Sequence, residues 1–337
     1  MTTALQTLSE RLCPWLEPAL QQLEAAHRAG RLGHAWLISG PTGIGKLNLA
    51  LVLARRILSG ESSAAELDAD AALGSLAARH TPQDRHPDLY WLHPEEDKET
   101  ISVDQVREVI EALTLTAHRG GAKIVIVETA EALTTPAANA LLKTLEEPSA
   151  GSYLFLLSHQ PGRLAATIRS RCQHLPLRPP DDTLVAGWLG VTPAVVADAR
   201  RLVGAAPLRV ATALRSEDIS IFNTLECDLS AICQDLLDPQ AVAHSWAKDR
   251  TELALTWLKR RLHEELRARS TATGGSTEVT VQTSATLHNA WRTVPARTLF
   301  DQYDKAEKLL NQLGSGLNVE LALQAMLSAF VVNRGRS

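Results

Sequence analysis

The chain has 337 residues, 45% of them apolar and 21% charged, a balance that excludes general disorder and, at about 150 residues per domain, fits two or three domains. Lys and Arg total 34 against 38 Asp and Glu, a formal net charge of −4, which excludes a nucleic-acid binder working through bulk basic charge but not a local basic face. No apolar run approaches the roughly 18 residues of a membrane span. Met1 to Glu10 lack the basic and apolar regions of a secretory signal, so a cytoplasmic location is expected.

The first 178 residues alternate helix and strand. Trp15 to Arg28 reads as a helix with Leu16, Leu20 and Leu23 on one face, and glycines break it. Ala35 to Ser39 (AWLIS) reads as a short buried strand. A Gly-rich turn follows, then a helix from Lys46 to Ser59. Residues 61 to 87 are rich in Ala, Asp, Ser and Pro and are expected to be a surface excursion. Val103 to Leu113 is helical by period. Lys123 to Val127 (KIVIV) is the clearest strand, continuous and β-branched. Thr135 and Pro136 are expected to cap and open a helix that runs to Glu147, where Pro148 stops it. Tyr153 to Leu157 and Gln173 to Leu177 complete the strands. Strands separated by helices of this length predict a parallel sheet with helices on both faces.

Pro179-Pro180 marks a boundary. Beyond it, three short helices are expected around Leu184–Leu189, Pro193–Val203 and Pro207–Leu214. From residue 218 the chain reads as all-helical. Asp238-Pro239 should open one long helix carrying Val242, Trp246, Leu253 and Trp257 on a shared face. Ser270 to Ser284 reads as a polar loop, followed by helices Pro295–Leu313 and Asn318–Val332. The expected domains are therefore 1–178, 179–217 and 218–337.

Gly40-Pro41-Thr42-Gly43-Ile44-Gly45-Lys46 fits G-x-x-x-x-G-K between a strand and a helix, the context that a phosphate-binding loop requires. Gly40, Gly43 and Gly45 let backbone N–H groups close on phosphate, and Lys46 would reach the terminal phosphates. The plainer reading is a glycine turn that closes a βα unit. Where the motif continues with Ser or Thr to hold Mg²⁺, this chain has Leu47. Where the second strand should end in a metal-binding Asp followed by a Glu base, it has Glu128 and Thr129, and threonine is no general base at neutral pH. Glu131 lies four residues past Val127, poorly placed to substitute. The hydrolytic machinery is altered in two independent places.

The phosphate loop, the segment Asn139-Ala-Leu-Leu-Lys-Thr-Leu-Glu-Glu-Pro148 and Ser170-Arg171-Cys172 together resemble the clamp-loader subunits of the bacterial DNA polymerase III holoenzyme, a family of the AAA+ class. The altered nucleotide site resembles that family's non-motor members. The resemblance implies an α/β P-loop domain, a small three-helix lid and a C-terminal helical collar. It implies that Arg171 projects as an arginine finger into a neighbouring subunit's ATP site, with Ser170 supporting the loop and Cys172 packing. Read alone, Arg171 would be a solvated arginine or a surface ion pair worth at most ~1 kcal/mol. The implied partners are ATP-hydrolysing gamma/tau-type subunits and the delta subunit, and indirectly the β sliding clamp and primed DNA, in a complex with DNA-directed DNA polymerase activity.

The chain departs from the family pattern in one further respect. Many relatives carry a four-cysteine zinc module after the P-loop helix, but residues 58 to 90 hold no cysteine. Cys13, Cys172, Cys227 and Cys233 form no C-x-x-C pair, so zinc is not expected. His80 and His86 read as loop histidines. Ser158 stands where active relatives place a γ-phosphate-sensing hydroxyl. Asn139 and Lys143 share a helix face that could approach DNA. Two rivals stay open: an active AAA+ motor subunit, against which Leu47 and Thr129 argue, and a subunit that holds ATP or ADP without hydrolysing it, which the intact glycines and Lys46 support.

Overall fold

The computed structural model describes residues 4–59, 65–77, 86–95, 98–117, 121–216, 218–272, 285–292, 294–313 and 318–331. The chain divides into two compact units, one of residues 1–196 with 205–212 and the other of residues 197–204 with 213–337.

The first unit opens with α1 (Ala4–Glu10), the two-residue strand β1 (Arg11–Leu12), a 3₁₀ turn at Pro14–Leu16 and α2 (Glu17–Arg28). There follow β2 (Ala35–Ser39), α3 (Lys46–Ser59), β3 (Ala65–Glu66), α4 (Ala69–Ala77), β4 (Leu89–Leu92) and α5 (Val103–Thr114). Then come β5 (Lys123–Val127), α6 (Thr135–Glu146), β6 (Ser152–Ser158), α7 (Ala166–Arg169) and β7 (Gln173–Pro176). β1 pairs with β3, and a separate five-stranded parallel sheet runs in the order β4-β5-β6-β2-β7.

Alternate residues of the central strands serve opposite faces. Trp36, Ile38, Ile124, Ile126, Phe155 and Leu157 join the core built with α2 and α3. Leu37, Val125, Val127, Leu154 and Leu156 join the core built with α5 and α6. Both faces are covered, which is why KIVIV is continuously apolar instead of alternating. Residues 47–54 of α3 are buried all round, and each fully buried Leu or Val there contributes about 1.5–3 kcal/mol. Ser102 and Gln105 form a capping box at the start of α5. At its other end the buried Lys123 Nζ donates to the Ala112 and Leu115 carbonyls, placing a cation where the helix dipole favours one.

The strands expected at 35–39, 123–127, 153–157 and 173–177 are present within a residue or so of those bounds. Three local readings are corrected. Thr134, not Thr135, caps α6: its backbone is extended and its side chain accepts from the Ala137 N–H, so Thr135 and Pro136 fill the first two helical positions and the helix ends at Glu146. The excursion at 61–87 contains β3 and α4, anchored by the buried Leu67, Ala69 and Ala72. Leu89–Leu92 is an edge strand that the sequence reading passed over. His80 lies outside the described residues, and the His86 ring sits against Asp88.

After β7 come α8 (Asp182–Leu189), α9 (Pro193–Val203) and α10 (Pro207–Arg215), with the boundary between the two units running through α9 and α10. The second unit continues with α11 (Asp218–Cys233), α12 (Pro239–Asp249), α13 (Thr251–Ala272), α14 (Ala285–Trp291), α15 (Ala296–Asn311) and α16 (Val319–Leu327). It has no strand among its described residues. The long helix expected from Pro239 is two helices. Thr251 Oγ1 donates to the Trp246 and Ala247 carbonyls at the end of α12, and α13 starts afresh at that residue. Ser270–Ala272 complete α13, and the rest of the expected 270–284 loop lies outside the described residues. Trp246, Trp257 and Trp291 are core side chains. Trp246 meets Trp257 edge-on with ring centroids 6.2 Å apart, and Trp291 stacks on Phe330.

Candidate functional site

β2 lies between β6 and β7, where the strand order turns back, and the chain leaves its carboxyl end at Gly40. This is the crevice in which open α/β sheets bind ligands. The loop is tied to both neighbouring strands: Gly40 N–H donates to the Ser158 carbonyl at 3.1 Å, and Leu177 N–H donates to the Ser39 carbonyl at 2.7 Å. Gly43 and Gly45 have φ of +87° and +95°, a region that other residues rarely adopt. A Cβ on Gly43 would lie 2.9 Å from Arg209 Cγ, and one on Gly45 would lie 2.9 Å from Leu16 Cδ1. Only glycine fits either position. Lys46 opens the 14-residue α3, and its Nζ donates to the Gly40 and Pro41 carbonyls at 2.8 and 3.1 Å. Beside the loop is a cavity of 180 Å³ whose lining includes the polar Thr42, Lys46, Glu128, Thr129 and His159 and the apolar Leu8 and Leu67.

The two residues after Lys46 are committed to structure. Leu47 is 7% exposed and belongs to the core. Asn48, 3% exposed, accepts from the Cys13 N–H and donates to the Leu8 and Arg11 carbonyls, fastening the N-terminal segment to α3. Glu131 is also a structural tie. Its Oε1 accepts the N–H groups of His159 and Gln160 at 2.9 and 3.1 Å and pairs with His159 Nδ1. Burial by itself would raise the Glu131 pKa. The hydrogen bonds from its own and the His159 backbone and from the Ser158 hydroxyl, together with the His159 charge, outweigh that and hold the carboxyl below its ordinary value. A carboxylate so engaged is no base for water. Ser158 is itself buried, its Oγ accepting from the Gln160 N–H, and the residue of this loop that reaches the cavity is His159.

The donor set therefore fits the phosphates of a nucleotide. The two positive-φ glycines, the helix N-terminus and Lys46 would hold them, and a bound nucleotide would present its phosphate charge there. It does not fit the usual Mg²⁺ arm, because position 47 offers no oxygen. Sequence reading missed Arg209. Leu208 N–H donates to the Gly43 carbonyl at 3.1 Å, which lays the Arg209 stem along the loop, and burial lowers the pKa of its guanidinium. The Pro207 that starts α10 was the available signal, but only the fold brings that helix to Gly43.

The second group of expected residues sits after β6. A 3₁₀ turn at Pro161–Arg163 and the single-turn α7 lead to Ser170. Ile168 and Cys172 are buried on either side, so Ser170 and Arg171 are held outward between two core anchors. Ser170 Oγ donates to the Thr167 carbonyl at 3.1 Å. Arg171 is bound to Glu146, the last residue of α6. In the free chain Arg171 is thus in a surface ion pair. Asn139 and Lys143 lie exposed on α6.

Burial pushes the Cys172 and Cys233 thiols up to about 11 and Cys13 to about 12, while Cys227 is exposed. With the thiolate as the reactive form, Ellman's reagent at pH 8 is expected to modify Cys227 rapidly in the folded chain and all four cysteines after denaturation. Fast reaction of more than one equivalent before unfolding would contradict the packing of Cys172. Among the described residues no three His, Cys, Asp or Glu side chains gather in a metal-binding arrangement, and no described helix is long and apolar enough to cross a membrane.

Residues 15–181 match the family model described as DNA polymerase III, delta subunit. The DNA polymerase III subunit delta' of Escherichia coli K12 is 44% identical over 179 residues, 53% of this chain and 52% of that protein. The subunit delta' of Yersinia pestis is 38% identical over 225 residues, 63% and 64% of the two chains. The chain thus spans about half to two thirds of the length of these curated relatives. A solved gamma-subunit-related protein of Thermotoga maritima covers 92% of this chain and 98% of its own at 17% identity and a TM-score of 0.42, too loose a likeness to argue from. The matched region holds the phosphate loop, the Asn139–Pro148 helix end and the Ser-Arg-Cys turn on the five-stranded parallel sheet. Residues 15–181, just under half of this chain, thus match the DNA polymerase III delta-subunit family model, and the chain is similar to the DNA polymerase III subunits delta'.

Proposed function

We propose that the chain is a non-motor clamp-loader subunit that supplies Arg171 in trans to the ATP site of a neighbouring, ATP-hydrolysing gamma/tau-type subunit. In that role it sits in a ring with the delta subunit and helps load the β sliding clamp on primed DNA in the bacterial cytoplasm. Residues 179–217 serve as lid and 218–337 as the helical collar through which the subunits associate. Its own ATPase is absent or very weak.

The observation that supports this reading is the presentation of Arg171 and Ser170, exposed and held between the buried Ile168 and Cys172. A guanidinium never deprotonates near neutral pH, and its planar fork matches the oxygens of a γ-phosphate. In the partner's site it would neutralise charge that develops on the transferring phosphoryl group. Substituting Arg171 in the reconstituted loader tests the reading.

A second reading, that the chain's own loop holds ATP or ADP without turnover, is favoured by the fit of Gly43, Gly45 and Lys46 to phosphate. Calorimetric titration with Mg·ATP and then with ATP in EDTA decides it. Metal-independent binding lost in Lys46→Ala would establish a structural nucleotide. No binding would leave the loop as a turn that closes the βα unit. Turnover at a motor-like rate would overturn the non-motor assignment.

A further inference from the structure

Arginine carries five N–H bonds in one plane. In this chain Arg171 Nε donates to Glu146 Oε1 at 2.8 Å and Nη2 reaches the same oxygen at 2.5 Å. Nη1 donates to the Thr167 carbonyl at 3.0 Å and to Ser170 Oγ at 3.3 Å. The Nε/Nη2 edge held by Glu146 is one of the edges with which a guanidinium grips a phosphate through two parallel bonds. A carboxylate therefore stands where a phosphate would dock. Nothing in α6 itself calls for it, since Glu146 is the helix's last residue, where the dipole disfavours an anion.

We propose that Glu146 is a positioning residue that parks the Arg171 fork in the free chain and is exchanged for the partner's phosphate on docking. The inference rests on the reading of Arg171 as a trans-acting finger. The pair is weak enough to exchange, because the two side chains are 35% and 50% exposed and exposed ion pairs shift an equilibrium by no more than about fivefold. Parking lowers the population of the docking-competent fork and raises the apparent dissociation constant by the same factor. Thr167 and Ser170 keep Nη1 in place, so the exchange turns one edge of the fork without moving the loop.

The test is a titration of the full-length chain into ATP-hydrolysing clamp-loader subunits, with ATPase rate as the readout, for the wild type, Glu146→Gln and Arg171→Ala. Glu146→Gln keeps the size of an exposed side chain and should fold normally. Its half-maximal concentration is expected to fall two- to fivefold with an unchanged maximal rate. A lower maximal rate would mean that Glu146 holds the finger in its working pose, and an unchanged half-maximal concentration would mean no parking. Either result overturns the proposal. A second measurement needs no partner: exchange of the Arg171 Nε–H with solvent, followed by NMR, should be slow in the wild type and fast in Glu146→Gln, and equal rates would also overturn it. If Arg171→Ala stimulates the partners as well as the wild type does, the finger reading fails, whatever Glu146 does.

Discussion

Arg171→Ala is expected to assemble with its partners as the wild type does and to leave the ATP site beside it nearly silent. An arginine finger that completes a phosphoryl-transfer site is worth about 10³–10⁵ in rate, so hydrolysis at that one site should fall by about 10³ or more. In a loader with several ATP sites the steady-state rate falls by that site's share, and single-turnover measurement exposes the full loss. The fold has little stake in the side chain. It is exposed, and its ion pair with Glu146 contributes at most ~1 kcal/mol. Arg171→Lys should be nearly as impaired, because an ammonium is a point charge without the fork. Normal assembly on gel filtration with unchanged hydrolysis would leave Arg171 as the ordinary surface arginine that its ion pair alone suggests.

The sheet was legible because burial on both faces writes itself into the chain as unbroken apolar runs, as in Lys123–Val127 and Tyr153–Leu157. Leu89–Leu92 left no such mark. It is a four-residue edge strand, mostly half-buried, and it exists because each residue pairs with one of Ile124–Val127, a partner that no local pattern announces. The break at Arg250 was hidden for the opposite reason. Val242, Trp246, Leu253 and Trp257 stay in helical phase across it, while the Arg250 backbone leaves the helix at φ −138° and the Thr251 hydroxyl bonds back to α12. At the site, the glycines and Lys46 were readable because a phosphate loop is contiguous. Arg209 and Glu146 were not, being 166 and 25 residues from the groups they meet, Gly43 and Arg171.

The largest expected loss of stability comes from the second unit. Glu265 on α13 is 1% exposed, and burying a carboxyl group is costly unless it is paired. Its Oε1 accepts from Arg269 Nε at 2.7 Å, and its Oε2 lies 2.8 Å from His288 Nδ1 on α14. Arg269 in turn donates to the Trp291 and Val294 carbonyls at 2.6 and 2.8 Å, so one carboxylate organises the seam where α14 and the turn after it meet α13. Removing one member of a fully buried pair costs about 3–5 kcal/mol, most of it the charge left behind; with Arg269 and His288 25% and 43% exposed, the loss here is placed at the lower end, about 3 kcal/mol. Glu265→Ala is expected to lose that much in chemical denaturation of the full chain, and Glu265→Gln, which keeps the shape, to lose less. The double variant Glu265→Leu, Arg269→Met separates the causes. If the uncompensated guanidinium dominates, removing both charges costs less than Glu265→Ala alone, because the two substitutions interact instead of adding. A double variant at least as unstable as Glu265→Ala would instead assign the loss to the broken seam, with the Trp291 and Val294 carbonyls deprived of their donor. Either way the loss should fall on residues 213–337 and leave the phosphate loop and Arg171 in place, so that a Glu265 variant defective in assembly would locate subunit association in the helical unit.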